Sequence, residues 1–164
     1  GEDAALNWAT GVKENLARKP QGNDRAQVKA IWQGECDLAL INTYYIGAMR
    51  HNEKEPEQKE WAESIGVIFP NQADRGAHVN ISAAGVARYA KNKANAVRLL
   101  EFLSEDWAQR YYAAENYEYP VKPGVEWAPE VMSWGQFKPD DVNLATVADY
   151  VPLAVRLYDK AGYQ

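Results

Sequence analysis

The sequence predicts an α/β fold, with a mostly parallel sheet flanked by helices, on three observations. Ala5, Trp8, Ala9, Val12 and Leu16 recur at helical spacing, and Val28, Ile31 and Trp32 form a second apolar stripe after a capping Asn23 or Asp24. Residues 36–41 read as a continuous apolar strand of the kind buried on both faces of a parallel sheet. A further helical pattern, with Ile46 and Met49 inward, begins directly after it. Helix, strand, helix in that order is an α/β signature.

The remaining elements follow the same logic. The first helix spans roughly 3–18, and Pro20 and Gly22 break it. Asp24 with Gln27 has capping-box spacing for the second helix, and Gly34 is a natural stop. His51 to Glu60 is strongly charged and reads as a solvated loop and helix face, anchored by Trp61 and Ile65. Val67-Ile68-Phe69 reads as a second buried strand closed by Pro70, and residues 70–77 as a polar crossover. Ala77 to Ala83 alternates, with Val79 and Ile81 on one face. Asn92 begins a long helix through about Ala114, carrying Val97, Leu100, Leu103, Trp107 and Tyr111 on one side. Four prolines and little periodicity make 115–143 a surface wrap. Val147, Val151, Ala154, Leu157 and Ala161 mark a final helix that ends at Gly162, with Pro152 obscuring its start.

A length of 164 residues allows one or two small domains with a real core. Net charge is -5, which argues against nucleic acid as a partner, since phosphate binding needs a basic surface. The single cysteine, Cys36, reads as a small buried hydrophobe and allows no internal disulfide. No apolar run approaches the ~20 residues of a membrane span. The start Gly1-Glu2-Asp3 lacks Met and reads as processed or truncated, so it says nothing about export. His51 and His78 are the only histidines, too far apart for His-x-x-x-His zinc spacing. No phosphate loop or nucleophile elbow is present, and no nucleophile stands with a base, so no enzyme is expected.

The chemistry concentrates at Leu38-Ala39-Leu40-Ile41-Asn42-Thr43-Tyr44-Tyr45. In open α/β sheets, ligands bind where strands end and helices begin. Thr43 or Asn42 is placed to cap the following helix, whose N-terminus favours negative charge, so the two phenols are expected where ionisation is easiest. Phenolate is a hard oxygen donor suited to a hard, highly charged cation. A trivalent ion displaces a proton even from a group with a reference pKa near ~10. One reading makes Tyr44 and Tyr45 ligands of one ferric ion; the plain alternative, which spacing alone favours, is one core tyrosine beside one surface tyrosine. Tyr111-Tyr112, inside a helix with no strand before it, is read as packing. Arg50, five residues past Tyr45, would lower phenol pKa values if its charge reached them.

Gly34-Glu35-Cys36-Asp37-Leu38-Ala39-Leu40-Ile41-Asn42-Thr43-Tyr44-Tyr45 resembles the dityrosine segment of ferric-ion-binding proteins, the periplasmic solute-binding components of Fe(III) ABC importers. Residues 66–72, 76–86 and 115–121 are similar to further segments of that family in the same order. The likeness covers nearly the whole chain but only the C-terminal half of the family, whose members are about twice as long. The resemblance implies part of the two-lobed periplasmic-binding-protein (type II) architecture. Residues 1–71 plus 128–164 would form the dityrosine-bearing lobe, and 72–127 a hinge crossover and part of the other lobe, with Gln72 to Val79 as one of the paired hinge strands. It implies capture of Fe(III) in the periplasm by Tyr44 and Tyr45 and delivery to an inner-membrane ABC importer permease, without catalysis. The N-terminal half of the family fold would supply the remaining ligands. Some family members hold a synergistic anion on the metal with polar residues near the tyrosines. That role falls to Asn42 here, and to Asn23, with helix capping as the alternative for both. The rival functions are a solute-binding domain for an oxyanion or small organic ligand, and an inert fragment that binds nothing alone.

Overall fold

A computed structural model describes residues 1–163. Among these, eight helices form in chain order: α1 (Glu2–Glu14), α2 (Asp24–Trp32), α3 (Tyr44–Arg50), α4 (Glu57–Glu63), α5 (Lys93–Leu103), α6 (Asp106–Glu115), α7 (Pro129–Ser133) and α8 (Leu144–Ala161). Two compact units result: residues 1–21 with 140 onward, and residues 22–139. None of the described helices is long and apolar enough to cross a membrane.

The first unit is a helical pair. Ala9 of α1 and Leu157 and Ala161 of α8 are buried, and the Tyr163 hydroxyl donates to the Ala9 carbonyl at 3.1 Å. Asn143 caps α8 by accepting from the Ala145 N–H, and Gly162 ends it in the left-handed conformation, φ 79°. Pro152 sits inside α8 without ending it.

The second unit carries the core: Val28 from α2, Ile46 and Met49 from α3, Ala62 from α4, and Val131 and Trp134 in and after α7. Trp61, Phe69, Tyr117, Tyr119 and Trp127 pack around them. Asn23 caps α2 by accepting from the Ala26 N–H at 3.1 Å, while the Gln27 amide reaches back to the Asn23 carbonyl. The cap is thus Asn23, with no reciprocal capping box from Asp24 and Gln27, and the Asp24 carboxylate makes a long-range contact instead.

Among the described residues the helices of the expected α/β fold form, while its parallel sheet is not seen. Residues 36–41 and 67–69 carry no ladder, and one isolated parallel bridge joins Ala77 to Pro139. Leu38, Leu40 and Ile68 are 78%, 81% and 77% exposed rather than buried on both faces. Strand residues of this kind need a neighbouring strand or layer to cover them, and none of the described segments supplies it. The long helix expected over 92–114 is likewise divided into α5 and α6 at Ser104–Glu105. Ser104 Oγ donates to the Leu100 carbonyl and the Gln109 amide to the Leu103 carbonyl, satisfying groups that the break leaves open. Of its apolar stripe, Val97, Trp107 and Tyr111 are exposed, and only Leu100 and Leu103 are half-buried.

The crossover is pinned to the segment before Pro139. Gln72 accepts from the Lys138 N–H at 2.7 Å and donates to the Lys138 carbonyl at 3.2 Å, and the Ala77 N–H donates to that same carbonyl at 2.9 Å. Gly76 makes the approach possible. Its φ is 94°, and a Cβ there would lie 2.6 Å from the carbonyl oxygens of Lys138 and Pro139. Gly76→Ala combines a left-handed backbone with a backbone clash. It is expected to cost about 2 kcal/mol or more, lowering the melting temperature by roughly 4–8 °C. Thermal unfolding followed by circular dichroism checks this.

Candidate metal site

Tyr44 and Tyr45 open α3, which packs through Ile46, Gly47 and Met49. The two rings lie against each other, centroids 4.4 Å apart and planes 31° apart. Both phenols are partly exposed at the end of the extended segment 38–41. Neither is consigned to the core, so the alternative of one core and one surface tyrosine does not describe them.

The local electrostatics differ from expectation. The Tyr44 phenol is pushed up to about 12, first by a hydrogen bond with the Tyr45 hydroxyl, then by desolvation and the nearby Tyr45, Asp24 and Glu118 groups. A phenol eased toward ionisation by a capped helix end is therefore not what forms. Thr43 is itself helical (φ -60°, ψ -35°) and makes no side-chain cap. Asn42 does not cap either. Its backbone N–H and its side-chain amide both donate to Asp24 Oδ1, at 2.8 and 3.2 Å. Asn42 Oδ1 in turn accepts from the Asn80 amide at 2.9 Å. Asn42 is thus held beside the tyrosines by contacts from α2 and from the alternating segment 77–83. Asn23 is occupied as the cap of α2.

Arg50 does not serve the phenols. Its guanidinium pairs with Glu130 at 2.8 Å, and His51 Nε2 meets the other Glu130 oxygen at 3.3 Å. The cation near the dityrosine is Arg25, whose guanidinium carbon lies 5.2 Å from the Tyr45 ring centroid. Arg25 Nε is buried with no hydrogen-bond partner among the described residues. Asp24, Arg25 and Asn80 are the neighbours that sequence reasoning missed. Their only signal was the position of Asp24-Arg25 in the first turn of α2, which does not say that this turn meets residue 42.

The other tyrosines stand apart chemically. Burial pushes Tyr119 up to about 12, and its hydroxyl donates to the Gly135 carbonyl at 3.2 Å. Tyr117 is raised by burial and by the charges of Glu115 and Glu130. Tyr111 is half exposed and stacks on Trp107, centroids 5.3 Å apart. Among the described residues no three His, Cys, Asp or Glu side chains group to hold a metal ion. A metal at Tyr44 and Tyr45 would therefore meet phenol and amide oxygens, the donor chemistry of a hard cation.

No protein-family model matches the chain. Two curated relatives align with essentially all of it. The iron uptake protein A1 of Synechocystis is 46% identical over 164 residues, covering 100% of this chain and 45% of that protein. The major ferric iron-binding protein of Neisseria meningitidis serogroup B is 33% identical over 162 residues, covering 99% and 46%. Among solved structures, Trichodesmium FutA in complex with iron and citrate ligands superposes with a TM-score of 0.95 at 40% identity. That match covers 100% of this chain and 52% of the other. The Campylobacter jejuni ferric binding protein gives a TM-score of 0.89 at 38% identity, over 97% and 50%. The relatives are named for iron uptake and ferric-iron binding, not for catalysis. The chain spans about half the length of the curated relatives it matches, as a C-terminal half would. The likeness runs from one end of the sequence to the other, and it makes the chain a homologue of ferric-iron-binding proteins over about half of their length.

Proposed function

We propose that this chain contributes Tyr44 and Tyr45 as phenolate ligands to one Fe(III) ion, which the whole protein carries in the periplasm to an inner-membrane ABC importer permease. The observation that carries the reading is the adjacency of the two phenols beside Asn42 and Arg25. The iron in the Trichodesmium complex supports it from outside this chain. Iron is cargo here, taken up and released by exchange between water and phenolate oxygens.

Two phenolates supply two of about six donors that a ferric ion takes. The N-terminal half of the family fold supplies the others and excludes water, which strengthens each electrostatic contact. A synergistic anion completes the shell. Arg25, with its unpartnered buried Nε, and Asn42, which keeps a second amide proton, are the groups that favour an anion next to Tyr45. Residues 1–71 plus 128–164 then belong to the dityrosine-bearing lobe, and 72–127 to the crossover and part of the other lobe. The pairing of Gln72 and Ala77 with Lys138 and Pro139 suits two crossings that run side by side.

The test is titration of Fe(III) into the chain, read by visible absorption, followed by citrate competition with and without the complementary half. A ferric phenolate band is expected. The chain alone should lose its iron to citrate, and the added half should retain it, because a shared ion stabilises only the assembled form. Absence of a visible band would sink the phenolate assignment and leave the oxyanion or organic-ligand reading. Equal retention in the two arms would mean that this chain completes the site unaided.

A further inference from the structure

The dityrosine rides on a helix that does not stand by itself. α3 has seven residues and no side-chain cap, far below the ~12–15 residues at which an isolated helix becomes even marginal in water. Its position is therefore set by what packs on it. One turn beyond Tyr44 lies Gly47, and over Gly47 sits the ring of Tyr117. A Cβ on residue 47 would lie 2.6 Å from Tyr117 Cδ1 and 2.8 Å from its Cβ, and nearer still to Cγ. Side-chain carbons do not approach that closely, so the contact requires glycine.

Tyr117 is held in place from several sides. Its φ is 59°, a left-handed conformation that a bulky residue adopts only where its surroundings over-determine it. Its ring stacks on His51, centroids 5.4 Å apart and planes 8° apart. His51 Nε2 and Arg50 both reach Glu130, tying the C-terminal end of α3 to α7. Two residues further on, Tyr119 is clamped among Trp127, Trp134 and Phe137. The segment that carries Tyr117 is thus rigidly based, and its ring bears directly on the helix of the two phenols.

We propose that Tyr117, seated on Gly47, is a positioning residue for ferric binding: its ring fixes the placement of α3 and with it the spacing of the Tyr44 and Tyr45 hydroxyls. The proposal rests on the phenolate reading above. It assigns Tyr117 a task performed by ring shape, with the hydroxyl taking no part. A metal shell tolerates displacement of only ~0.5 Å in its ligands, so a bump of one methyl group at residue 47 reaches the metal while most of the core stays in place.

The experiment titrates the full chain with ferric nitrilotriacetate and reads affinity and the visible band together. The parent comes first; a parent without a phenolate band overturns the ligand reading and the clamp with it. Given a parent band, Gly47→Ala should lower affinity about tenfold or more and move the band. Tyr117→Phe should match the parent in both. Gly11→Ala, at a helical position in α1 where an added Cβ meets nothing, should also match it. Tyr117→Ala should weaken binding, and the double variant should bind no worse than Tyr117→Ala alone, because the added methyl then has space. Parent-like iron binding and band in Gly47→Ala would overturn the clamp and leave the phenolate reading intact, as would additive losses in the double variant. Loss of the band in Tyr117→Phe would overturn it too, by making the hydroxyl the functional group. Should Gly47→Ala not fold, the double variant decides: folding and binding at the level of Tyr117→Ala supports the clamp, and failure to fold refutes it.

Discussion

Tyr44→Phe and Tyr45→Phe are each expected to weaken Fe(III) binding by on the order of a hundredfold or more. Even groups that only support a metal ligand are worth ~10–100-fold, and each of these changes deletes a donor oxygen outright. The fold should survive both. The substitution keeps the ring, so the 4.4 Å ring contact persists, and Ile46 and Met49 continue to anchor α3 in the core. The measurement is competition against citrate together with the visible band, on proteins matched by far-ultraviolet circular dichroism. Tyr111→Phe and Tyr112→Phe serve as controls. They lie on α6, where Tyr111 stacks on Trp107, and should leave band and affinity unchanged. Parent-like binding by both Tyr44→Phe and Tyr45→Phe would end the ligand assignment. Loss of the band in a folded Tyr112→Phe protein would end the distinction between the two tyrosine pairs.

Iron affinity should also climb steeply with pH. The Tyr44 proton is held up to about 12 by the hydrogen bond with Tyr45 and by desolvation, so at neutral pH this phenol is protonated and must lose its proton to bind metal. Loss of the Tyr44 proton makes apparent affinity rise about tenfold per pH unit across the neutral range, once hydrolysis and competitor protonation are subtracted. A pH-stat titration should count one proton fewer released per ferric ion in Tyr44→Phe than in the parent. Equal release in the two would mean that Tyr44 does not ligate. The stability of the iron-free protein follows the opposite sign. A phenol whose pKa is raised on folding contributes stability that is complete below pH ~10, its unfolded value. That contribution is lost as pH rises from there through about 12. Tyr44→Phe should therefore lack this phenol's share of the stability loss between pH ~10 and about 12, seen as a shallower fall of melting temperature with pH across that window.

Local signals in the sequence were mostly sound. Asn23 before α2, the left-handed Gly162 after α8 and the helix beginning at Tyr44 all follow from nearest-neighbour chemistry, and all form. The adjacency of Tyr44 and Tyr45 needs no long-range information, and the metal reading placed on them comes from the resemblance carried by residues 34–45. What surrounds the pair was not legible. Asp24, Asn42 and Asn80 lie far apart in sequence yet share hydrogen bonds, and Arg25 reaches Tyr45 across a loop. Nothing in residue spacing announces such contacts. The expected strands at 36–41 and 67–69 rest on another kind of signal. Leu38, Leu40 and Ile68 report that their surface wants cover, and a hydrophobic run cannot say whether the cover lies in the same stretch of chain. The division between α5 and α6 was invisible because the apolar period continues through Ser104, while the break is sealed by side-chain hydrogen bonds from Ser104 and Gln109.

Under the phenolate reading, the hydrogen bond between Tyr44 and Tyr45 has a consequence for which cations bind. An ionised phenol pair would be a standing negative charge, open to any passing calcium, magnesium or zinc ion. With its pKa pushed up to about 12, the Tyr44 phenol presents a neutral hydroxyl instead. An ion gains from binding there only by expelling that proton, which a trivalent ion does far more readily than calcium or magnesium. Discrimination is then built into the empty state as a threshold of Lewis acidity. Ga(III) and Al(III), which match the ferric charge, become the competitors to expect. Abundant divalent ions, even in large excess, do not.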